Sequence, residues 1–362
     1  MNKPNVILVG GFLGAGKTTL IGQLTRRLSA KGLRVGIVTN DQAADLVDTA
    51  VLSREGVALA EVSGGCFCCY FGDFEGKLRE LRDGADVLIG EPVGSCTDLA
   101  ATVVRPIQTL YNERYRVARY SVLVDPLRWE QSLLPRAQRT LPDNVLYIFR
   151  LQIEEADVIL LNKADAISMQ EQEHLLATLK ERYPGRVIFV ISAKTGEGLN
   201  AWLDYLLQGD LAGTREMKVD YETYAEGEAA LGWLNAAATL TPTAPVDWGA
   251  WAVAFLRELR DMLQAEAAEI AHAKLAIKSP SGNLSASLTS NGGRPELGGE
   301  LPVDAEVKSL IINVRAHADP EVLYRAVVAT LEKTRPAGMR VELGELRRFR
   351  PGRPVPTHRI PA

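Results

Sequence analysis

Gly11-Phe12-Leu13-Gly14-Ala15-Gly16-Lys17-Thr18-Thr19, close to the amino end, fits the pattern G-x-x-x-x-G-K-[ST] of a phosphate-binding loop. Val6-Ile7-Leu8-Val9 before it is a short apolar run that reads as a buried parallel strand. Leu20, Ile21, Leu24 and Leu28 after it fall at the spacing of one helix face. Strand, glycine loop and helix follow one another, which is the context the motif needs. Glycine removes the Cβ that would keep backbone N–H groups away from phosphate oxygens, and the start of a helix adds partial positive charge. Gly11, Gly14, Ala15, Gly16, Lys17, Thr18 and Thr19 are therefore candidate phosphate-binding residues. Lys17 is expected to reach the β- and γ-phosphates and the Thr18 hydroxyl to hold Mg²⁺. A glycine-rich turn without a ligand is the plainer alternative, and the flanking strand and helix argue against it.

Outward from this loop, apolar runs at 35–38, 57–62, 87–89, 120–124, 158–161 and 187–190 alternate with helical stripes. That alternation predicts an α/β domain over residues 1–208, a parallel sheet with helices on both faces. A linker is expected at 209–216. Residues 217–350 change pattern and predict a smaller α+β domain, ferredoxin-like in having two helices on one face of an antiparallel sheet. Val219, Tyr221 and Thr223 alternate with charged residues there, Leu284, Ala286 and Leu288 alternate with polar ones, and Trp251, Phe255, Leu259 and Met262 mark a long helix capped by Asp247. The stretch 291–302 reads as a flexible loop, and the proline- and arginine-rich tail 351–362 as poorly ordered.

At 362 residues the chain is too long for one small domain, and its 46% apolar content is ample for a core. A net charge of −4 argues against a nucleic-acid binder. No run approaches a membrane-spanning length, and the amino end shows no secretory pattern, so a cytoplasmic protein is expected. Three of the 4 cysteines crowd into Cys66, Cys68 and Cys69. That is no disulfide framework, and it points to metal or redox chemistry.

Asn162-Lys163-Ala164-Asp165 lies at the end of a predicted strand, and Ser192-Ala193-Lys194 at the end of the next. One carboxylate, Asp165, accepts from both the N1–H and the exocyclic amine of guanine, whereas adenine would oppose it with a lone pair. The Lys163 stem would lie along the base, Asn162 would brace neighbouring loops, and the Ser192–Lys194 turn would offer a backbone N–H to the guanine carbonyl. Behind a phosphate loop this combination predicts GTP and GDP as ligands. Glu91 and Asp125 both follow apolar strands and compete for the place beside Mg²⁺. Glu91 is favoured for positioning the attacking water or sensing the γ-phosphate, and Asp125 could instead cap the helix after Pro126. No residue marks itself as an efficient general base, so slow hydrolysis is expected.

Asp41, Asp45 and Asp48 follow the second strand; Asp41 is a candidate for a cation, the other two read first as solvated loop acids. Thiolates suit zinc, cobalt and related metals, and Gly64-Gly65 would let Cys66, Cys68 and Cys69 converge. Cys66-x-x-Cys69 also has redox spacing. The fourth ligand of a closed site could be Cys96, Asp41 or solvent, and Cys96 is read first as a small buried residue. The four histidines are scattered and read as surface or domain-local.

The phosphate loop, Gly64-Gly65-Cys66-Phe67-Cys68-Cys69, Glu91-x-x-Gly94 and Asn162-Lys163-x-Asp165 together resemble the CobW family, P-loop GTPases related to the urease and hydrogenase nickel chaperones. The resemblance covers about residues 5–208. It implies binding of GTP and Mg²⁺, slow GTP hydrolysis, and binding of Zn²⁺, Co²⁺ or a related metal through the cysteines. It also implies delivery to, or activation of, a client metalloenzyme or a cofactor pathway such as cobalamin synthesis. Asn40-Asp41 stands where the family often has Asn-Glu, and Gln42, Ala43 and Ala44 supply no second glutamate. The alternatives are a GTP-dependent regulatory switch with structural cysteines and, less in keeping with the guanine motif, a phosphotransferase. Client, metal and homo-oligomeric state stay open.

Overall fold

The structure, a computed structural model, describes residues 3–41, 57–208, 215 and 217–361. The chain forms two compact units. Of the described residues, one takes those up to Ala225 together with those from Pro354, and the other takes Glu226–Arg353.

In the first unit β1 (Asn5–Gly11) leads through the glycine loop into α1 (Lys17–Ala30), as the apolar spacing predicts. Then come β2 (Val35–Asp41), β3 (Ala58–Ser63), α2 (Phe71–Arg82), β4 (Val87–Glu91), α3 (Arg105–Leu110) and β5 (Arg116–Val117). β6 (Ser121–Val124), α4 (Pro126–Leu133), α5 (Asp143–Glu155), β7 (Val158–Leu161), α6 (Met169–Arg182), β8 (Val187–Val190) and α7 (Leu199–Gln208) follow. The strands order β3-β2-β4-β1-β6-β7-β8, with β5 beside β1, in one parallel sheet. Helices cover it, and Ile7, Val9, Ile89, Leu123 and Leu160 are fully buried. Because every strand runs the same way, every strand ends on the same edge, where open α/β sheets place ligands. Gly11, Asp41, Ser63 and Glu91 stand at strand ends on this edge, and Asp125, Asn162 and Ile191 begin its loops.

The second unit contains β9 (Gly232–Thr241), α9 (Trp248–Ala265), β10 (Glu269–Ser279), β11 (Gly282–Leu288), β12 (Glu296–Glu300), β13 (Lys308–His317), α10 (Pro320–Thr334) and β14 (Arg340–Phe349). Its sheet is antiparallel, ordered β12-β11-β10-β13-β9-β14. Without β11 and β12 the order β10-β13-β9-β14 is that of a ferredoxin-like βαββαβ unit, with the extra hairpin extending one edge. Leu284, Ala286, Leu288, Leu310, Ile312 and Val314 point from the sheet into a core shared with Trp251, Phe255 and Leu259 of α9. Asp247 caps α9 by accepting from Ala250 N–H at 2.9 Å.

Three expectations need correction. Tyr221 does not lie in an alternating strand: α8 (Tyr221–Ala229) starts there, because the Asp220 carboxylate accepts from Glu222 N–H at 3.0 Å and the Thr223 hydroxyl at 2.6 Å, nucleating a turn. Within 291–302 lies β12, whose residues are all exposed and so carry no apolar signal. The tail is held rather than loose, since 357–360 hydrogen-bond to the first unit's backbone and side chains. Of the expected linker 209–216 only Arg215 is described.

Candidate functional site

Gly16 has φ 98°, and a Cβ there would stand 2.5 Å from Asn162 Nδ2. Only glycine both takes this left-handed turn and leaves room for the asparagine. The Lys17 ammonium lies back across the loop, donating to Gly11 O at 2.8 Å and Phe12 O at 3.4 Å. Thr18 is buried, and its hydroxyl donates to Glu91 Oε1 at 2.7 Å. Thr19 is exposed on the first turn of α1. Glu91, and not Asp125, is thus the strand-end acid beside the Mg²⁺ candidate Thr18. Asp125 instead caps α4 by accepting from Arg128 N–H at 3.1 Å, and it pairs with Lys163 Nζ at 2.7 Å.

The guanine motif is tied to this loop through Asn162. Its Nδ2 donates to Ala15 O at 2.8 Å, and its Oδ1 accepts from Ala193 N–H at 2.8 Å. One buried amide therefore braces the phosphate loop against the Ser192–Lys194 turn. Lys163 sits at φ 60°, which swings the chain so that Ala164 N–H donates to Ile191 O at 3.1 Å. Asp165 is exposed and accepts from the Ser192 hydroxyl at 2.6 Å. A carboxylate has about four acceptor positions, so capacity remains for two more donors. Lys194 is exposed, and its carbonyl accepts from Gln23 of α1 at 3.3 Å.

Asn40, at the end of β2, builds the cysteine loop. Its Nδ2 donates to Val62 O at 3.0 Å and Gly65 O at 2.6 Å, and its Oδ1 accepts from Phe67 N–H at 2.8 Å. The Asp41 side chain lies outside the described residues, as do Asp45 and Asp48. Cys69 N–H and Tyr70 N–H both donate to Cys66 O, at 3.0 and 2.9 Å, and this turn brings the thiols to one side. Cys66 Sγ is 2.9 Å from Cys68 Sγ and 3.2 Å from Cys69 Sγ, with Cys68 and Cys69 3.8 Å apart. Phe67 turns the other way and stacks on Phe74 of α2, centroids 3.9 Å apart.

Cys96 is no isolated packing residue. Its Sγ lies with those of Cys66 and Cys68 in one buried group within 4.8 Å. The shared protons of Cys68, then of Cys69 and Cys96, hold the Cys66 thiol well below its ordinary range. The same sharing pushes Cys68 up, and Cys69 to about 11, chiefly through Cys66. A group of thiols in which one is ready to ionise matches the demand of a thiophilic cation.

Cys96 stands on the segment that leaves β4 at Glu91. A Cβ on Gly94 would come within 3.0 Å of Lys17 Nζ and 3.1 Å of Leu13 N, so this segment presses on the phosphate loop. Gln152 of α5 holds it by donating to Gly94 O at 3.0 Å and Cys96 O at 2.7 Å. Glu155 accepts from Ala100 N–H at 2.9 Å and the Thr97 hydroxyl at 3.3 Å. The tail reaches the same place. Val355 N–H donates to Cys69 Sγ at 3.3 Å, Thr357 N–H to Cys68 O at 2.8 Å and the Thr357 hydroxyl to Cys69 O at 2.9 Å. Arg359 Nε donates to the buried Asp98 at 2.8 Å, and His358 meets Phe71 edge-on. Asn40 as the loop's brace and the tail are site features that the sequence did not reveal, and Cys96, one of three open candidates for a fourth ligand and read first as packing, is the one the structure brings to the thiols. A fourth cysteine just past Glu91-x-x-Gly94 was the available signal for Cys96.

A family model described as "CobW/HypB/UreG, nucleotide-binding domain" matches residues 5–190. The chain is 29% identical over 195 residues to the zinc chaperone YjiA of Escherichia coli (strain K12), covering 51% of this chain and 57% of that protein. It is 24% identical over 237 residues to the zinc chaperone CobW of Pseudomonas aeruginosa, covering 56% of this chain and 62% of that protein. The chain thus spans somewhat over half the length of these curated relatives. Among solved structures, the Zn(II)-bound YjiA GTPase from E. coli gives a TM-score of 0.36 at 15% identity, covering 91% of this chain and 99% of that one. No helix among the described residues is long and apolar enough to cross a membrane.

Proposed function

This chain belongs to the CobW/HypB/UreG family, and from that premise we propose that it is a GTP-binding, slowly GTP-hydrolysing metallochaperone. Its cargo would be Zn²⁺ or the similar Co²⁺, delivered to a client metalloenzyme or cofactor-synthesis protein. The observation that carries this reading is one short segment: Glu91 bonds Thr18, Gly94 abuts Lys17 and Cys96 joins the thiols.

In this reading Lys17 and the N–H groups of Gly14, Ala15 and Gly16 hold the phosphates, and the Thr18 hydroxyl holds Mg²⁺. The ion's chemistry there is to offset phosphate charge. Glu91, anchored on the same hydroxyl, positions the attacking water and senses the γ-phosphate. Asp165 selects guanine, while Asn162 keeps base and phosphate subsites in register. Cys66, Cys68 and Cys69 hold the cargo, and each ligating thiol gives its proton to solvent.

The burial of Cys66 and Cys68 favours a second reading, a regulatory GTPase with a structural metal. Cys69 is only half-buried, which suits exchange. The test is metal transfer to a chromogenic chelator together with GTP turnover. A metallochaperone gives up its Zn²⁺ within minutes and at a rate that depends on the nucleotide, and Cys66→Ser takes up none while still binding GTP. Zn²⁺ that stays put whatever the nucleotide leaves only the structural reading. Failure of Lys17→Ala to impair GTP binding overturns the GTPase assignment itself.

A further inference from the structure

Cys96, far from the other 3 of the chain's 4 cysteines in sequence, joins Cys66 and Cys68 in one group, and Cys69 adjoins Cys66 and Cys68. Cys66, Cys68 and Cys96 are at most 5% exposed and form a closed floor, and Cys69 stands at its mouth. A thiol brought there only to fill space would need apolar neighbours; this one faces two others across less than 4.8 Å. Zn–S bonds of about 2.3 Å in a tetrahedron separate sulfurs by roughly 3.8 Å. The Cys66, Cys68 and Cys69 thiols, 2.9–3.8 Å apart, need a slight opening to reach that; Cys96, within 4.8 Å of Cys66 and Cys68, needs to move closer to Cys69. Both loops that carry the thiols are fixed. Asn40 bonds Gly65 and Phe67 on one side, and Gln152 bonds the Cys96 carbonyl on the other.

We propose that Cys96 is a metal ligand, so that the site is a four-thiolate one for a thiophilic divalent cation. Cys66, Cys68 and Cys96 are its permanent ligands, and Cys69 is the one released when the metal leaves. This rests on the metallochaperone reading and deepens it. Cys96 is the ligand tied through Gly94 to Lys17, and Cys69 is the ligand the tail touches through Val355 N–H.

Co²⁺ titration of the full chain, read by its visible and near-ultraviolet spectrum, tests the assignment. The wild type is expected to show tetrahedral d–d bands with a sulfur-to-metal charge-transfer intensity appropriate to four thiolates. Cys96→Ser and Cys96→Ala should each lose about a quarter of that intensity and bind Co²⁺ more than about tenfold more weakly. Melting of the metal-free variants reports whether they fold, and the paired substitutions keep the test decisive if one does not. Unchanged spectrum and affinity in either folded Cys96 variant, with Cys66→Ser abolishing uptake, removes Cys96 as a ligand and leaves the metal reading standing. A wild type that takes up no Co²⁺ and no Zn²⁺ overturns both.

Discussion

In the proposed function, Asp165 and Asn162 divide the labour of guanine selection. Asp165 is oriented by the Ser192 hydroxyl, and Asn162 ties that turn and the phosphate loop together. Asp165→Asn replaces an acceptor by a donor where guanine presents two donors, so the loss is a repulsion as well as a missing bond. GTP affinity should fall by on the order of 10²–10⁴, while XTP, whose base offers an acceptor in place of the amine, should bind the variant better than GTP. Competition between the two nucleotides in equilibrium dialysis checks it, and unchanged GTP binding would refute the guanine assignment. Such residues are legible in a sequence because each motif is local and its residue types are dictated by the ligand. Cys96 was legible only as one candidate alongside Asp41 and solvent, because the choice depends on which strands are neighbours. β4 lies beside β2 in the sheet, and β2 is followed on its other side by β3, which carries the cysteine loop.

At the scale of elements, α5 and the tail clamp the Gly94–Ala100 segment from two directions. Complete burial, and after it the nearby Asp98 charge, push the Glu155 carboxyl well above its ordinary 4.5. The folded chain therefore keeps a proton that the unfolded chain releases above about pH 4.5. Glu155 contributes stability that is full below that pH and is lost as pH rises through its folded value. Glu155→Gln keeps the shape and most of the hydrogen bonding, so it should flatten this decline. Urea unfolding at pH 5 and pH 8 should show the variant gaining relative to wild type at the higher pH, and parallel curves would exclude the effect.

From the other side, Arg359 meets Asp98, whose side chain is 2% exposed and also accepts from the Tyr221 hydroxyl at 2.7 Å. Arg359→Ala leaves a buried carboxylate with one fewer donor and should cost about 1–3 kcal/mol. Differential alkylation should also find Cys69 reacting faster, because the backbone that covers it is anchored by that pair. A variant with wild-type stability and labelling rate would make the tail an ornament. Periodicity marked most strands of the first unit and, in the second, β11 and α9, whose apolar spacing is what burial requires, but it placed none of α5, β9, β10 and β14. It missed β12, which buries nothing, and the tail, whose hold is made of backbone bonds and one ion pair that composition cannot reveal.

At the scale of the whole molecule the two chemistries share their supports. Asn40 at the end of β2 shapes the thiol loop, and the segment from Glu91 to Cys96 runs from the Mg²⁺ candidate Thr18 to the buried thiols. In the proposed function, a difference in that segment between nucleotide states is expected to appear as a difference in metal affinity, and the reverse must then hold by the same factor. For an allosteric pair the expected size is about 1–3 kcal/mol, or roughly 5–150-fold in affinity. Zn²⁺ competition titrations with a chelator, run with a non-hydrolysable GTP analogue and then with GDP, give one side of the cycle. Nucleotide titrations on Zn²⁺-loaded and Zn²⁺-free protein give the other, and the two ratios should agree. Gly94→Ala should shrink both together, because its Cβ would stand 3.1 Å from the backbone nitrogen of Leu13 in the phosphate loop, an atom that cannot swing aside, and force apart the two surfaces that transmit the change. Equal Zn²⁺ affinity in the two nucleotide states would mean that the shared segment is a rigid strut, and that the thiols and the nucleotide are merely neighbours on one sheet edge.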